Sequence, residues 1–184
     1  LKTELLISSA FSKKELFENI KLAEKNKSED KKEKENINDN YKKIDDKRLI
    51  SSYLLSKKSL NNLIVDIDNN TGIFAGYYWF FQFWSRDEAI SLGGLIDEKN
   101  YNFTKQILLR QISDLLPDGR ISNRFPHSDL SSADGVGWSF FRLRQLIEKL
   151  RGENKLHEFF SDDELKFAKN QLDKSTKSLL ENHT

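Results

Sequence analysis

Between Gly76 and Glu88 the chain reads Gly-Tyr-Tyr-Trp-Phe-Phe-Gln-Phe-Trp-Ser-Arg-Asp-Glu. Seven of the eight residues from Tyr77 to Trp84 are aromatic, and they run directly into Arg86 and Asp87. A half-buried strand alternates apolar with polar, and an amphipathic helix repeats its apolar residues every three to four positions. This segment does neither. It sets flat apolar faces beside a rigid fork of donors and a carboxylate with two acceptor oxygens. A sugar ring calls for that combination, since its C–H faces stack on aromatic rings and its paired hydroxyls need paired donors and acceptors. Trp79 and Trp84 are the candidate stacking surfaces, while Phe80, Phe81 and Phe83 read as core.

The rest of the chain is a succession of helical patterns. Asp45 or Asp46 can cap a helix reaching about Val65, with Tyr53, Leu54, Leu60, Leu63 and Ile64 as its buried stripe. Asp66 to Thr71 reads as a turn. A helix begins near Ser85, where Ser85 and Glu88 have capping-box spacing. Its body, Ala89 to Ile96, is apolar on most sides and so needs cover from several neighbours; Ile90, Leu92, Leu95 and Ile96 are expected to lie partly uncovered. Further helices are predicted over 100–115 and 133–150, the latter striped by Val136, Phe140, Leu143, Ile147 and Leu150. Pro117 to Leu130 is a loop. Ser161 and Glu164 form a second capping box, opening a helix with Leu165, Ala168, Leu172 and Leu179.

Before these helices, residues 3–9 read as a short strand and 12–24 as a helix. Lys25 to Lys43 is almost entirely charged or polar and cannot bury enough surface to offset ordering, so it reads as a charged linker. The expected organisation is therefore 1–24, a strand and helix left from a preceding domain, 25–45, the linker, and 46–184, a helical domain. Helices joined by medium loops make the fold class all-α.

Composition excludes several functions. A net charge of +1 gives no strong field for nucleic acid or acidic membranes. The absence of cysteine removes disulfides and thiolate metal sites, and the three histidines have no metal spacing. No apolar run is long enough to span a membrane, and no signal-peptide pattern opens the chain, which makes cytoplasmic the default expectation. No cofactor and no metal are expected.

Two later segments add candidates. Asn123 and Arg124 sit in a loop of the kind that often carries binding residues; the alternative is a plain turn with Asn123 left-handed and Arg124 in solvent. Asp134 precedes Trp138 at a helix start, where a carboxylate is also explained by the helix dipole.

Together these segments resemble the archaeal and bacterial glycogen-debranching enzymes, the amylo-α-1,6-glucosidases, relatives of glucoamylase. Gly72-Ile-Phe-Ala-Gly-Tyr-Tyr-Trp-Phe-Phe-Gln-Phe-Trp-Ser-Arg-Asp-Glu-Ala-Ile-Ser-Leu92 looks like the family signature. Asp118-Gly-Arg-Ile-Ser-Asn-Arg-Phe-Pro126 resembles its D-G-L-I-P-N-R-F-P loop, and Ser132-Ala-Asp-Gly-Val-Gly-Trp-Ser-Phe140 its T-A-D-A-S-L-W-F helix start. The likeness covers roughly 46–150. It departs at Tyr78 and Ser122, where the family has Pro, and at Gly135, where it often has Ala.

The resemblance implies part of an (α/α)6 toroid of the six-hairpin glycosidase kind. At 184 residues the chain is short for a whole toroid, and it begins with Leu, so it reads as a fragment or one piece of a split enzyme. The resemblance further implies an α-glucan exo-glucosidase in which Arg86 and Asp87 grip the terminal glucose, with Trp84, Asn123, Arg124, Asp134 and Trp138 around it. Inverting hydrolysis needs an acid and a base about 6.5–9.5 Å apart. The family's acid follows a later Trp-Met-Asp-like motif and its base is a Glu near the end of the toroid; neither motif occurs in this sequence. The catalytic carboxylates are expected outside the chain, and the remaining C-terminal part of the toroid, possibly a separate chain, is the expected partner besides the glucan. A non-catalytic carbohydrate-binding or assembly subunit is the alternative, and a helical scaffold with purely structural aromatics is a third.

Overall fold

The computed structural model describes residues 21, 25, 46–67, 70–76, 80, 82–126, 130–132 and 134–182, with the side chains of 47 and 182 excepted. The expected strand at 3–9, all but residue 21 of the helix at 12–24, and nearly all of the linker lie outside these residues. Contacts divide the chain into two compact units, 1–55 and 56–184. The division falls inside the first described long helix, α1 (Lys47–Leu63).

In the first unit the Asp46 carboxylate caps α1, accepting the backbone N–H of Arg48 at 2.8 Å and of Leu49 at 3.4 Å. Tyr53, expected in the buried stripe, is 40 % exposed, and Leu54 is half-buried.

In the second unit α1 ends two residues earlier than its pattern predicts. Ile64 and Val65 belong to β1 (Ile64–Ile67), which pairs antiparallel with β2 (Asn70–Ile73), Ile64 opposite Ile73 and Asp66 opposite Thr71. The predicted turn is the end of this hairpin. Ile-Val-x-Ile before Asn-rich residues is itself a strand signal, and pairing with β2 takes Ile64 and Val65 out of the helix. β3 (Phe83–Trp84) leads into α2 (Ser85–Asp97), followed by α3 (Tyr101–Ser113), β4 (Arg124–Phe125), α4 (Gly135–Gly152), the short α5 (Leu156–Phe159) and α6 (Asp162–Asn182). β3 pairs antiparallel with β4, Phe83 opposite Phe125 and Trp84 opposite Arg124.

The described residues are predominantly helical, so the fold class is all-α, in keeping with part of a six-hairpin toroid. Two helix ends share one stop signal. Lys99 after α2 and Asn154 after α4 take positive φ, and the next residue's N–H reaches back to Leu95 and Leu150 respectively. These reversals bring α3 back along α2 and α5 back along α4. The core forms where α2, α3 and α4 meet, around Leu92, Ile96, Leu108, Ile112, Leu146 and Leu150. Each such side chain contributes about 1.5–3 kcal/mol on burial.

The expectation of uncovered apolar surface on α2 holds for Ile90, 46 % exposed, but not for Leu92, Leu95 and Ile96, each at most 1 % exposed. The returning α3 and the adjacent α4 cover them. Apolar surface is open elsewhere, in a groove of about 640 Å³ between α4 and α6 floored by Phe140, Leu143, Ile147, Leu165, Ala168 and Leu172. The capping box opening α6 is present: Ser161 N–H donates to Glu164 at 2.8 Å, and Glu164 N–H to the Ser161 hydroxyl at 3.2 Å.

Candidate functional site

The starts of α2 and α4 lie side by side. Contacts advance in the same direction along both helices, Arg86 with Asp134, then Ala89 and Ile90 with Arg142. The two helices therefore present their N-terminal ends together, and the partial positive charge of both dipoles faces one place.

Arg86 Nη1 stands 3.7 Å from Asp134 Oδ1, and both side chains are 53 % exposed. Asp134 accepts the Ser132 hydroxyl at 2.9 Å. That bond, followed by its own backbone N–H, the Arg86 charge and the Trp138 indole N–H, holds its carboxyl below the usual range. The carboxylate is thus ionised and accessible. Asp87 is exposed in the first turn of α2. Arg86, Asp134 and half-buried Trp138 accordingly form one cluster.

Trp84, Asn123 and Arg124 form another, on the β3–β4 pair. Trp84 sits opposite Arg124, and the Arg124 guanidinium donates to Gln82 Oε1 at 2.8 Å. Trp84 meets Phe80 edge-on at 5.8 Å between centroids, and its indole N–H is buried with no partner among the described residues. Asn123 is not left-handed, and Arg124 is half-buried rather than in solvent, because β4 is paired to β3. The clusters join at Ser85, whose N–H donates to the Asn123 carbonyl at 3.0 Å and whose hydroxyl donates to the Ser122 carbonyl at 2.7 Å. Phe83 is core at 3 % exposure, but Phe80, read as core, is 43 % exposed. Trp79 and Phe81 lie outside the described residues.

The Ser85–Glu88 capping box does not form. The Ser85 hydroxyl is taken by Ser122, and Trp84 occupies the cap position with no side-chain bond. Glu88 turns inward, 1 % exposed, and accepts Ile73 N–H at 3.0 Å, Gln111 Nε2 at 3.1 Å and the Arg110 guanidinium. Burial pushes its carboxyl up, with Arg110 pulling the other way. Arg110 also faces the rings of Phe83 and Phe125 at 4.7 and 5.0 Å. Sequence reasoning missed this polar centre. Its signal was a Glu and a Gln at core-facing helix positions beside Ala89 and Ile112, where an unpaired polar group would be costly.

The Asp118–Pro126 loop holds its own shape. Asp118 accepts Arg120 N–H at 3.0 Å and Nε at 2.8 Å, and the carbonyl of left-handed Gly119 accepts the buried Ser175 hydroxyl at 2.6 Å. No group of three or more potential metal ligands occurs among the described residues, and no described helix is long and apolar enough to cross a membrane.

No curated protein and no solved structure matches the chain significantly. A family model, Amylo-alpha-1,6-glucosidase, matches residues 51–183, which takes in every candidate above. With well over half of its length matched, the chain belongs to the amylo-alpha-1,6-glucosidase family.

Proposed function

We propose that this chain forms the terminal-glucose-binding wall of a debranching-type α-glucan exo-glucosidase. The observation that carries the reading is the pairing of two motifs distant in sequence. Arg86 and Asp134 stand 3.7 Å apart, half exposed, at two neighbouring helix starts. A guanidinium fork and an ionised carboxylate at that spacing offer donors and acceptors to adjacent hydroxyls. Asp87 adds two acceptor oxygens one residue on, Trp138 gives a ring face, and Trp84, Asn123 and Arg124 extend the wall through Ser85.

In the complete enzyme the reaction is hydrolysis with inversion. The general acid and base come from outside these residues, and the remaining C-terminal part of the toroid, in the same chain or a separate one, is the partner. The compartment is the cytoplasm. The second reading, a non-catalytic carbohydrate-binding or assembly subunit, draws on the absence of the acid and base motifs from the sequence. A downstream reading frame carrying those motifs distinguishes the two.

Maltotetraose titration of the chain beside Asp87→Ala and Asp134→Ala tests the wall. Loss of charge-assisted hydrogen bonds predicts at least about tenfold weaker binding in each variant. Thermal melting of Asp87→Ala is expected to stay close to that of the parent. Equal affinities for parent and variants, or no binding by the parent, defeat the reading.

A further inference from the structure

One buried amide reaches both helix starts from behind. Gln111 of α3 is 4 % exposed. Its Nε2 donates to the Ser85 carbonyl at 3.0 Å and to Glu88 at 3.1 Å, and its Oε1 accepts the Ser139 hydroxyl at 2.8 Å. Ser85 directly precedes Arg86. Ser139 oxygen also lies 3.0 Å from the carbonyl of Gly135, which directly follows Asp134. Its single proton thus has two acceptors, the Gln111 oxygen and its own helix. The amide has one workable orientation: Ser85 and Glu88 both offer oxygens, so the NH2 end must face them and the carbonyl end must face Ser139.

We propose that Gln111 is the positioning residue that sets the separation between the Arg86 guanidinium and the Asp134 carboxylate. It rests on the glucose-wall reading for its functional meaning, but the geometry stands apart from it. The other bonds at Ser85 tie α2 to the 122–123 loop, not to α4. Apart from the half-exposed Arg86–Asp134 pair itself, the next polar tie between α2 and α4 among the described residues lies further along, where Arg142 donates to the carbonyls of Ala89 and Ile90, each at 2.9 Å. With Arg142 as fulcrum, removing the Gln111 bonds lets the two starts part. A sugar that must meet Arg86 and Asp134 together then loses one of them, and misplacement of about 1 Å is enough to cost up to about 100-fold in function.

The absence of cysteine permits a direct test. Spin labels at Asp87→Cys and Gly137→Cys, both exposed, report the separation of the helix starts by dipolar broadening. Gln111→Met keeps side-chain length while removing all three bonds. Ser139→Ala removes only the α4 arm. Both are expected to widen the label separation well below their melting temperatures, and Gln111→Met without labels is expected to bind maltotetraose about tenfold more weakly than the parent. A purely stabilising role would lower melting and leave the separation unchanged. If the separation in Gln111→Met equals that of the parent, the proposal is overturned. If Gln111→Met does not fold, Ser139→Ala decides by the same criterion. If the separation widens but the parent binds no maltotetraose, the positioning role stands and the glucose-wall reading falls.

Discussion

The Glu88 carboxylate and the Arg110 guanidinium meet inside the protein, their side chains 1 % and 13 % exposed. The pair joins α2 to α3, and each partner also holds β2, Glu88 through Ile73 N–H and Arg110 through the Thr71 carbonyl at 3.0 Å. Removing one member leaves a buried charge uncompensated. Glu88→Ala is expected to cost about 3–5 kcal/mol. Glu88→Gln, which still offers an oxygen to Ile73, should cost less. Urea unfolding of the three proteins measures this, and equal midpoints would show the pair to be dispensable.

Two glycines should respond in opposite directions to alanine. A Cβ on Gly93 would stand 2.7 Å from Arg142 Cζ, and that guanidinium cannot retreat without releasing Ala89, Ile90 and Gln145. Gly93→Ala is expected to destabilise by about 1–3 kcal/mol. Gly137, exposed within α4, has nothing within 4 Å of its Cβ position. Gly137→Ala should stabilise by roughly 0.5–1 kcal/mol through helix propensity. Gly135 is not equivalent, because its Cβ would press on Ser132 Cβ at 3.0 Å. Melting temperatures of the single variants decide whether the contrast holds.

Glu164 supplies a pH-dependent contribution. Its hydrogen bond from Lys105 at 2.8 Å, then the Ser161 N–H, hold its carboxyl below the ordinary 4.5. A depressed folded-state pKa stabilises above the unfolded value and ceases to do so as pH falls through the folded value. Glu164→Gln should therefore cost about 1 kcal/mol near neutral pH, the size of a capping contribution. The gap between parent and variant should close below pH 4.5 as Glu164 takes up its proton. A gap that stays constant across that range would assign the effect to packing alone.

The chain by itself is expected to show no enzymatic hydrolysis of maltooligosaccharides or branched dextrins, since the family's acid and base motifs do not occur in it. Reducing-sugar release over long incubation is the assay. Turnover that disappears in Asp134→Asn would make Asp134 a catalyst instead of a sugar ligand.

Residue order alone determined the helical class, a cap at Asp45 or Asp46 and another at Ser161, the starts of α2 and α6, and the motifs that mark the family. These depend on neighbours within a turn or two of helix, or on short runs of fixed spacing, so they survive without knowledge of the fold. Tertiary structure decided the rest. Whether Ser85 bonds to Glu88 or to Ser122 depends on a loop 37 residues away competing for the same hydroxyl. Whether Ile64 continues α1 or pairs with Ile73 depends on which partner buries it. Arg86 finds Asp134 only because α2 and α4 pack side by side with their starts together, and Glu88, with capping-box spacing to Ser85, is instead a buried partner of α3 because Arg110 and Gln111 arrive there to satisfy it. Spacing can reveal that a chain carries donors and acceptors. Long-range packing determines which of them are spent on each other inside the core and which remain free to meet a ligand.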